Sequence, residues 1–317
     1  MFNRIRRHLP PRFPAMDFRD RVVVLTGGSR GLGLELARRF AAEGAKVALL
    51  ARDPAELNRA VTLLGYRDVL AIPCDVTVLE QVHTAVHEVV RTWGRVDVLV
   101  NNAGLIQVGP FEHMADDDWT RSLDLHVLAP LHLVRACLPH MGRGSRIVNV
   151  SSIGGLVPVP HMAPYTASKH ALVGLSGTLR AELAPRGIAV TTVCPWLTRT
   201  GSPPHVEVKG SHADEYRWFA TSDNAPLLSQ ASDRAARRIV AATRRGDARL
   251  VPTVHGKLAV LAEAVAPGLV AWLTDVFVTF LPGPEPADGD TTRLGRDLPG
   301  PRWFAPTLAE AGRRNNE

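Results

Sequence analysis

Cysteine, tyrosine and lysine are scarce in this 317-residue chain. It has three cysteines, three tyrosines and only four lysines, Lys46, Lys169, Lys209 and Lys257. Cys74, Cys137 and Cys194 lie far apart and form no C-x-x-C pair. A disulfide framework or zinc ribbon is therefore not expected, and a reducing, cytoplasmic setting is. The 12 histidines are scattered. His83 with His87, and His161 with Tyr165, stand at i, i+4 spacing, but no H-E-x-x-H motif and no third ligand accompany them, so no metal site is expected. The start of the chain lacks the apolar stretch of a secretory signal. Hydrophobic residues at 45% and charged residues at 21% exclude wholesale disorder, collagen and coiled coil.

The net charge is +6. Arg4, Arg6, Arg7, Arg12 and Arg19, less Asp17 and Asp20, place half of it in the first 20 residues. Residues 1–19 read as a basic, solvated tail in preference to a targeting or membrane-surface segment. No stripe interleaves basic and aromatic residues, so nucleic acid is not an expected partner.

From residue 20 to 255 short β-branched runs alternate with helical stretches. The runs are Arg21–Leu25, Lys46–Leu50, Val69–Pro73, Val96–Val100, Arg146–Val150, Ala189–Cys194 and a last candidate, Leu250–Val254. Leu34, Ala37, Phe40 and Ala41 mark one helical stripe; Val82, Ala85, Val86 and Val89 mark another. This alternation predicts an α/β fold, a parallel sheet with helices on both faces. The runs are apolar nearly throughout, as strands buried on both faces must be. Residues 256–317 form an extension. Lys257–Leu281 is apolar and broken at Pro267-Gly268, with Leu269, Leu273, Val276 and Phe280 on one helical face. Its second half is too short to span a bilayer. A cap over a cleft or a packed core helix is favoured over an oligomer contact or a peripheral membrane contact. Residues 282–317 read as a meandering tail.

The first run leads into Thr26-Gly27-Gly28-Ser29-Arg30-Gly31-Leu32-Gly33, with a helix from about Leu34. Glycines between strand and helix let backbone N–H groups approach a pyrophosphate, and the helix N-terminus favours negative charge. This is read as a dinucleotide site. The second run ends at uncharged Ala51, then Arg52-Asp53. Two guanidinium groups, Arg30 and Arg52, favour the 2′-phosphate of NADP(H) over NAD(H). The plainer alternative leaves both arginines in solvent and gives Asp53 a helix cap.

Tyr165 and Lys169, at i and i+4, share one helix face. A nearby ammonium is expected to lower the phenol pKa and fit it for acid–base work. Ser152, 13 residues upstream at a strand end, can polarise the same carbonyl oxygen. With Thr26–Gly33, Asp75-Val76, Asn101-Asn102-Ala103-Gly104 and Pro195…Thr200 in order, the chain resembles the short-chain dehydrogenase/reductase family over residues 20–255. The resemblance implies a Rossmann-like, doubly wound, mostly parallel sheet of about seven strands. It also implies hydride transfer between nicotinamide and a carbonyl or secondary alcohol. On that resemblance Tyr165 is the proton donor and acceptor, Lys169 lowers its pKa and holds the nicotinamide ribose, and Ser152 positions the substrate oxygen. Gly27, Ser29, Arg30, Gly31, Leu32 and Gly33 would cradle the cofactor. Asp75 and Val76 would bracket the adenine. Asn102, Ala103 and Gly104 would lie at the sheet centre beside the cofactor. Pro195, Thr198 and Thr200 would meet the nicotinamide. A homodimer or homotetramer through the segments Trp119–His140 and Tyr165–Pro185 is implied as well.

Two positions depart from the family pattern. His126 stands where many members carry an asparagine of a proton relay; it either keeps a relay or is a buried, hydrogen-bonded histidine. Trp196 replaces the usual glycine after Pro195 and either narrows the entrance or lines the substrate pocket, or else weakens turnover. Residues 201–230 read as a lid. Its Pro203, Pro204, His205, Val206, Tyr216, Trp218, Phe219 and Leu227 point to a hydrophobic ketone or alcohol, or else merely anchor the loop. A non-catalytic NADPH-binding scaffold or sensor is the rival function; NAD-dependent alcohol oxidation is a second.

Overall fold

A computed structural model of the chain describes residues 13–224, 229–284, 288–300, 312 and 314–316. Seven strands form one wholly parallel sheet: β1 (Val22–Thr26), β2 (Lys46–Ala51), β3 (Val69–Pro73), β4 (Val98–Asn101), β5 (Arg146–Val150), β6 (Ala189–Val193) and β7 (Arg249–Leu250). Their order is 7-6-5-4-1-2-3. The helices are α1 (Gly31–Ala42), α2 (Pro54–Leu64), α3 (Leu79–Trp93), α4 (Asp116–Leu123), α5 (Ala129–Cys137), α6 (Ala163–Leu183), α7 (His212–Asn224), α8 (Ser232–Arg245), α9 (Val254–Val265) and α10 (Pro267–Val278).

Alternation along each strand divides the core in two. Val23, Leu25, Val47, Leu49, Val98 and Val100 pack under α1, α2 and α8. Val22, Val24, Ala48, Leu50 and Leu99 pack under α3, α5 and the end of α6. Both faces are dry, which is why the strands read as unbroken apolar runs. Neighbours β1 and β4 sit at the point where the winding reverses. Ligands of doubly wound sheets bind beyond the carboxyl ends of the strands at this point.

Several expected boundaries move. The first helix starts at Gly31, three residues before Leu34, directly after the extended backbone of Arg30 at its N-cap. The fourth strand begins at Val98, not Val96, since Asp97 is used by the chain start: its carboxylate accepts from Val22 N–H at 2.9 Å. The last strand is only Arg249–Leu250, and Val254 opens α9 under a Thr253 cap. The tail does not meander throughout. Arg293–Leu294 pairs antiparallel with Glu207–Val208, which pairs with Gln107–Val108. The packed-core reading of the apolar extension fails: α10 buries no residue, and α9 buries only Gly256.

The solvated-tail reading also stops early. Residues 1–12 lie outside the described residues, but Met16 and Phe18 are buried in the core. Phe18 meets Phe40 edge-on with ring centroids 5.0 Å apart. Arg146 is buried beneath this segment and donates to the carbonyl of Pro14 at 2.6 Å. Phe18→Ala is expected to cost about 3–4 kcal/mol by urea denaturation. A loss below about 1 kcal/mol would return these residues to a solvated tail.

Candidate active site

Glycine at positions 27 and 33 is dictated by space. Gly27 has φ +60°, and a Cβ on Gly33 would lie 1.9 Å from the Gly27 carbonyl oxygen. Asn102 holds this turn closed. Its amide donates to the carbonyls of Thr26 and Gly27 at 3.1 and 3.2 Å. The N–H groups of Asn102 and Ala103 donate to the Thr26 hydroxyl at 2.9 and 3.0 Å. The Asn102-Ala103-Gly104 run thus fastens the glycine turn of β1 to the end of β4. Gly31 opens α1, and Leu32 is half-buried behind it. This cradle, closed by backbone where any Cβ would clash, fits a pyrophosphate at a helix N-terminus.

The two arginines behave differently. Arg52 is exposed just past β2. Asp53 caps α2 by accepting from Ala55 N–H at 2.7 Å. Arg30 is half-buried and engaged: it reaches the Glu56 carboxylate at 3.3 Å and the His205 ring at 2.8 Å. Glu56 also accepts from the Ser29 hydroxyl at 2.9 Å. Glu56 went unnoticed in the sequence because only the turn between β2 and α2 brings it over the glycine loop. Asp75 accepts from the N–H and hydroxyl of Thr77, so one oxygen is spent on its own turn; Val76 is buried.

Ser152, Tyr165 and Lys169 come together, as their spacing predicts. Ser152 follows β5 and also caps a short turn, accepting from Gly154 N–H at 3.2 Å. Tyr165 and Lys169 rise from the first turns of α6, with the Lys169 Nζ 5.6 Å from the phenol ring centre. The electrostatics differ from expectation. Lys169 is buried, donates to the Val150 carbonyl at 3.1 Å, and is pushed down to about 8 by burial. Burial pushes the Tyr165 phenol up to about 12, against the stabilising hydroxyl of Ser152. Burial is the largest influence on the phenol, and Lys169 points its donor at the Val150 carbonyl of β5.

His126 lies in a π-helical turn (Asp124–Leu128) between α4 and α5, which thrusts it inward. Such single turns often mark functional sites. Its Nε2 accepts from Leu105 N–H at 3.2 Å, so Nδ1 carries the proton and donates to Ser168 Oγ at 2.8 Å. Ser168 donates its own hydroxyl hydrogen bond to the Tyr165 carbonyl at 2.9 Å. Every hydrogen-bonding group of the ring is therefore used. Burial, then the Lys169 charge, drives its pKa well below 6.5. This arrangement matches the buried, hydrogen-bonded alternative.

Pro195 accepts from Ile153 N–H through its carbonyl at 2.8 Å, locking the Ser152 turn to the end of β6. Thr198 donates its hydroxyl to the Trp196 carbonyl at 2.7 Å, and Thr200 accepts from Ser202 N–H at 3.2 Å. Trp196 packs toward Gly256 at the start of α9, with its Nε1 buried and without a partner among the described residues. In the lid, Val206, Tyr216 and Phe219 are buried in a third apolar cluster, so they anchor it. Ile106, Val159, Trp218 and Tyr165 itself are half-buried against that cluster. Leu227 lies outside the described residues. His161 and Tyr165 do not converge on a shared site; His161 pairs instead with the buried Glu215 at 2.8 Å.

Fold and site define a dinucleotide-binding protein of Rossmann type. Residues 21–207 match the short chain dehydrogenase family, and the chain belongs to it, as an oxidoreductase whose family uses NAD(P)(H). It is 31% identical over 269 residues to an 11-beta-hydroxysteroid dehydrogenase-like 2 from Arabidopsis thaliana, covering 82% of this chain and 83% of that one. Among solved structures it is similar to a short-chain dehydrogenase from Streptomyces avermitilis (TM-score 0.68, 30% identity, 83% and 100% covered). Another is L-sorbose reductase from Gluconobacter frateurii, complexed with NADPH and L-sorbose (TM-score 0.65, 28% identity, 74% and 97% covered).

The His126 imidazole stays neutral in the fold, whereas the unfolded chain protonates it near pH 6.5. Its contribution to stability is complete above that pH and is lost as pH falls below it, at no more than about 1.4 kcal/mol per pH unit. Urea unfolding at pH 7.5 and 5.5 should show a smaller acid loss in His126→Asn than in the wild type. Equal losses would mean that the imidazole titrates as freely in the fold as in the unfolded chain.

Proposed function

We propose that the protein reduces a hydrophobic ketone to a secondary alcohol with NADPH. The observation that carries this reading is the convergence of Ser152, Tyr165 and Lys169 at the strand ends, with the phenol set against an apolar cluster. A phenol held up at about 12 is protonated at neutral pH, which suits a proton donor and makes a poor base. Bound NADPH supplies the hydride to the carbonyl carbon. Tyr165 gives its proton to the carbonyl oxygen, while the Ser152 hydroxyl donates to that oxygen and orients it. Lys169, with its pKa near 8, holds a mobile proton close to the phenolate left behind. His126 acts as a positioning residue, fixing the backbone at Tyr165 through Ser168. Ile106, Val159 and Trp218 favour an apolar substrate surface.

Arg52 beside uncharged Ala51 supports NADPH over NADH. Glu56 opposes it by engaging Arg30, so the preference rests mainly on Arg52. Tyr165→Phe is expected to lower kcat about a hundred- to ten-thousand-fold with cofactor affinity unchanged. Oxidation followed at 340 nm with a panel of ketones, using NADPH and NADH in parallel, checks both points. Equal turnover by Tyr165→Phe would remove the phenol from the chemistry. A higher kcat/KM with NADH would reverse the cofactor assignment. Tight binding without turnover of any ketone or alcohol would favour a scaffold or sensor.

A second observation supports a peripheral membrane contact. Helices α9 and α10 meet at 118° and expose Leu258, Leu261, Val265, Leu269, Trp272 and Phe277, each by 45% or more. Each helix is about 18 Å long, against a hydrocarbon core of about 30 Å, so the pair suits lying in the interface rather than crossing it. Exposed apolar surface on this scale marks a contact site. The protein should sediment with vesicles of phosphatidylcholine and phosphatidylglycerol, and Leu269→Ser/Trp272→Ser should cut the bound fraction at least fivefold. A wild type that ignores vesicles but is a dimer, with the double variant monomeric, would assign the face to a second copy.

A further inference from the structure

The end of the chain returns to the glycine turn. Asn316 donates its side-chain amide to the carbonyls of Ser29 at 2.8 Å and Glu56 at 3.1 Å. Arg59 donates to its oxygen at 3.1 Å. Its neighbour Asn315 is fully buried and donates to the Thr200 carbonyl at 2.6 Å, with the Ser232 hydroxyl 3.4 Å away. Arg314 reaches the buried Glu35 carboxylate on α1 at 2.9 Å. Two consecutive asparagines therefore join three segments that are far apart in sequence, and Arg314 adds a contact to α1. Ser29 belongs to the glycine turn after β1, Glu56 to the start of α2, and Thr200 to the segment after β6.

These are the segments that the family assignment gives to opposite parts of one dinucleotide. Ser29 lies with the pyrophosphate cradle, Glu56 beside Arg30 at the end where a 2′-phosphate is read, and Thr200 toward the nicotinamide. Arg30 and His205 make a second bridge between the glycine turn and the loop after β6. The Asn315 Oδ1 is buried and has no partner among the described residues, so the tip retains an acceptor.

We propose that Arg314, Asn315 and Asn316 are cofactor-positioning residues, a C-terminal clamp that ties the two walls of the dinucleotide cleft together. The proposal rests on the cleft being the cofactor site. The two asparagine amides hold main-chain carbonyls on both walls, Asn315 through a buried hydrogen bond and Asn316 through part-buried ones, so the walls cannot part without breaking one set or the other. On this proposal a bound dinucleotide leaves as the walls part. The clamp therefore lengthens cofactor residence and leaves the chemical step to Ser152, Tyr165 and Lys169. Each net hydrogen bond lost corresponds to about a fivefold change in an equilibrium or rate constant.

The test is stopped-flow binding of NADPH and of NADH, read by protein fluorescence, on three full-fold proteins. They are the wild type, Asn315→Ala/Asn316→Ala, and a chain ending at residue 311. Thermal unfolding of each without cofactor serves as the folding control. The dissociation rate is expected to rise at least tenfold in both variants, with the association rate within threefold and Tm within a few degrees of wild type. A merely structural tip would lower Tm and slow association together, which would overturn the clamp. Unchanged dissociation would overturn it too, as would faster association at unchanged dissociation, the mark of a tail that obstructs the cleft. Should the wild type bind neither dinucleotide, the cofactor reading itself would fall, separately from any result with the variants.

Discussion

Burial of the sheet on both faces is the constraint from which the rest follows. A parallel sheet has no strand that can turn back on itself, so every connection crosses a face and covers it with a helix. Valine, leucine and alanine on alternate positions of β1, β2 and β4 feed two separate dry layers. The chain is left free only beyond the carboxyl ends of the strands. There the winding reverses between β1 and β4, and the two loops that flank the gap must meet. They meet through Thr26 and Asn102, whose hydrogen bonds close the glycine turn to a degree that leaves no room for a Cβ on Gly33. The remaining site residues are placed by the same rule. Ser152 follows β5, Pro195 through Thr200 follow β6, and Tyr165 and Lys169 rise from the helix between those strands.

Dryness also governs the chemistry of the site. Tyr165, Lys169 and His126 are all moved in the direction that keeps them uncharged, and in each case burial is the largest cause. A neutral phenol, an ammonium near its titration point and a neutral imidazole make a site rich in hydrogen-bond donors and poor in fixed charge. That suits a reaction whose charge appears only as the carbonyl oxygen becomes an alkoxide. The imidazole contributes rigidity: bonded at both nitrogens, it joins the loop at Leu105 to the first turns of α6.

The C-terminal extension adds three different things to this frame. The first turn of its first helix sets Gly256 against Trp196, so the unusual tryptophan is part of the docking of the extension. The bent pair α9–α10 then leaves its apolar residues facing solvent, and Arg293–Leu294 completes a small sheet with Glu207–Val208. Its last residues finally reach the glycine turn. An arginine-rich chain with only four lysines can hold such contacts through planar guanidinium groups, as Arg314 does at Glu35 and Arg146 does at the carbonyl of Pro14.

The sequence by itself determined the alternating fold, the glycine turn and the Ser152–Tyr165–Lys169 group. Each is a local pattern: a period of two or of 3.6, a turn that only glycine permits, or a pair one helical turn apart. It also carried the apolar character of residues 257–281, although not their exposure. What only the tertiary structure decided depends on contacts between distant segments. Glu56 reaches Arg30 and Ser29 because a strand end and a helix start converge. Phe18 is core because Phe40 lies above it. The phenol of Tyr165 is raised rather than lowered because packing buries it, while the ammonium four residues on is drawn to the Val150 carbonyl. Asn315 and Asn316 look like the end of a polar tail until the fold sets Thr200, Ser29 and Glu56 side by side. Periodicity records which face of an element is buried, whereas the partner met on that face is settled only when the elements pack.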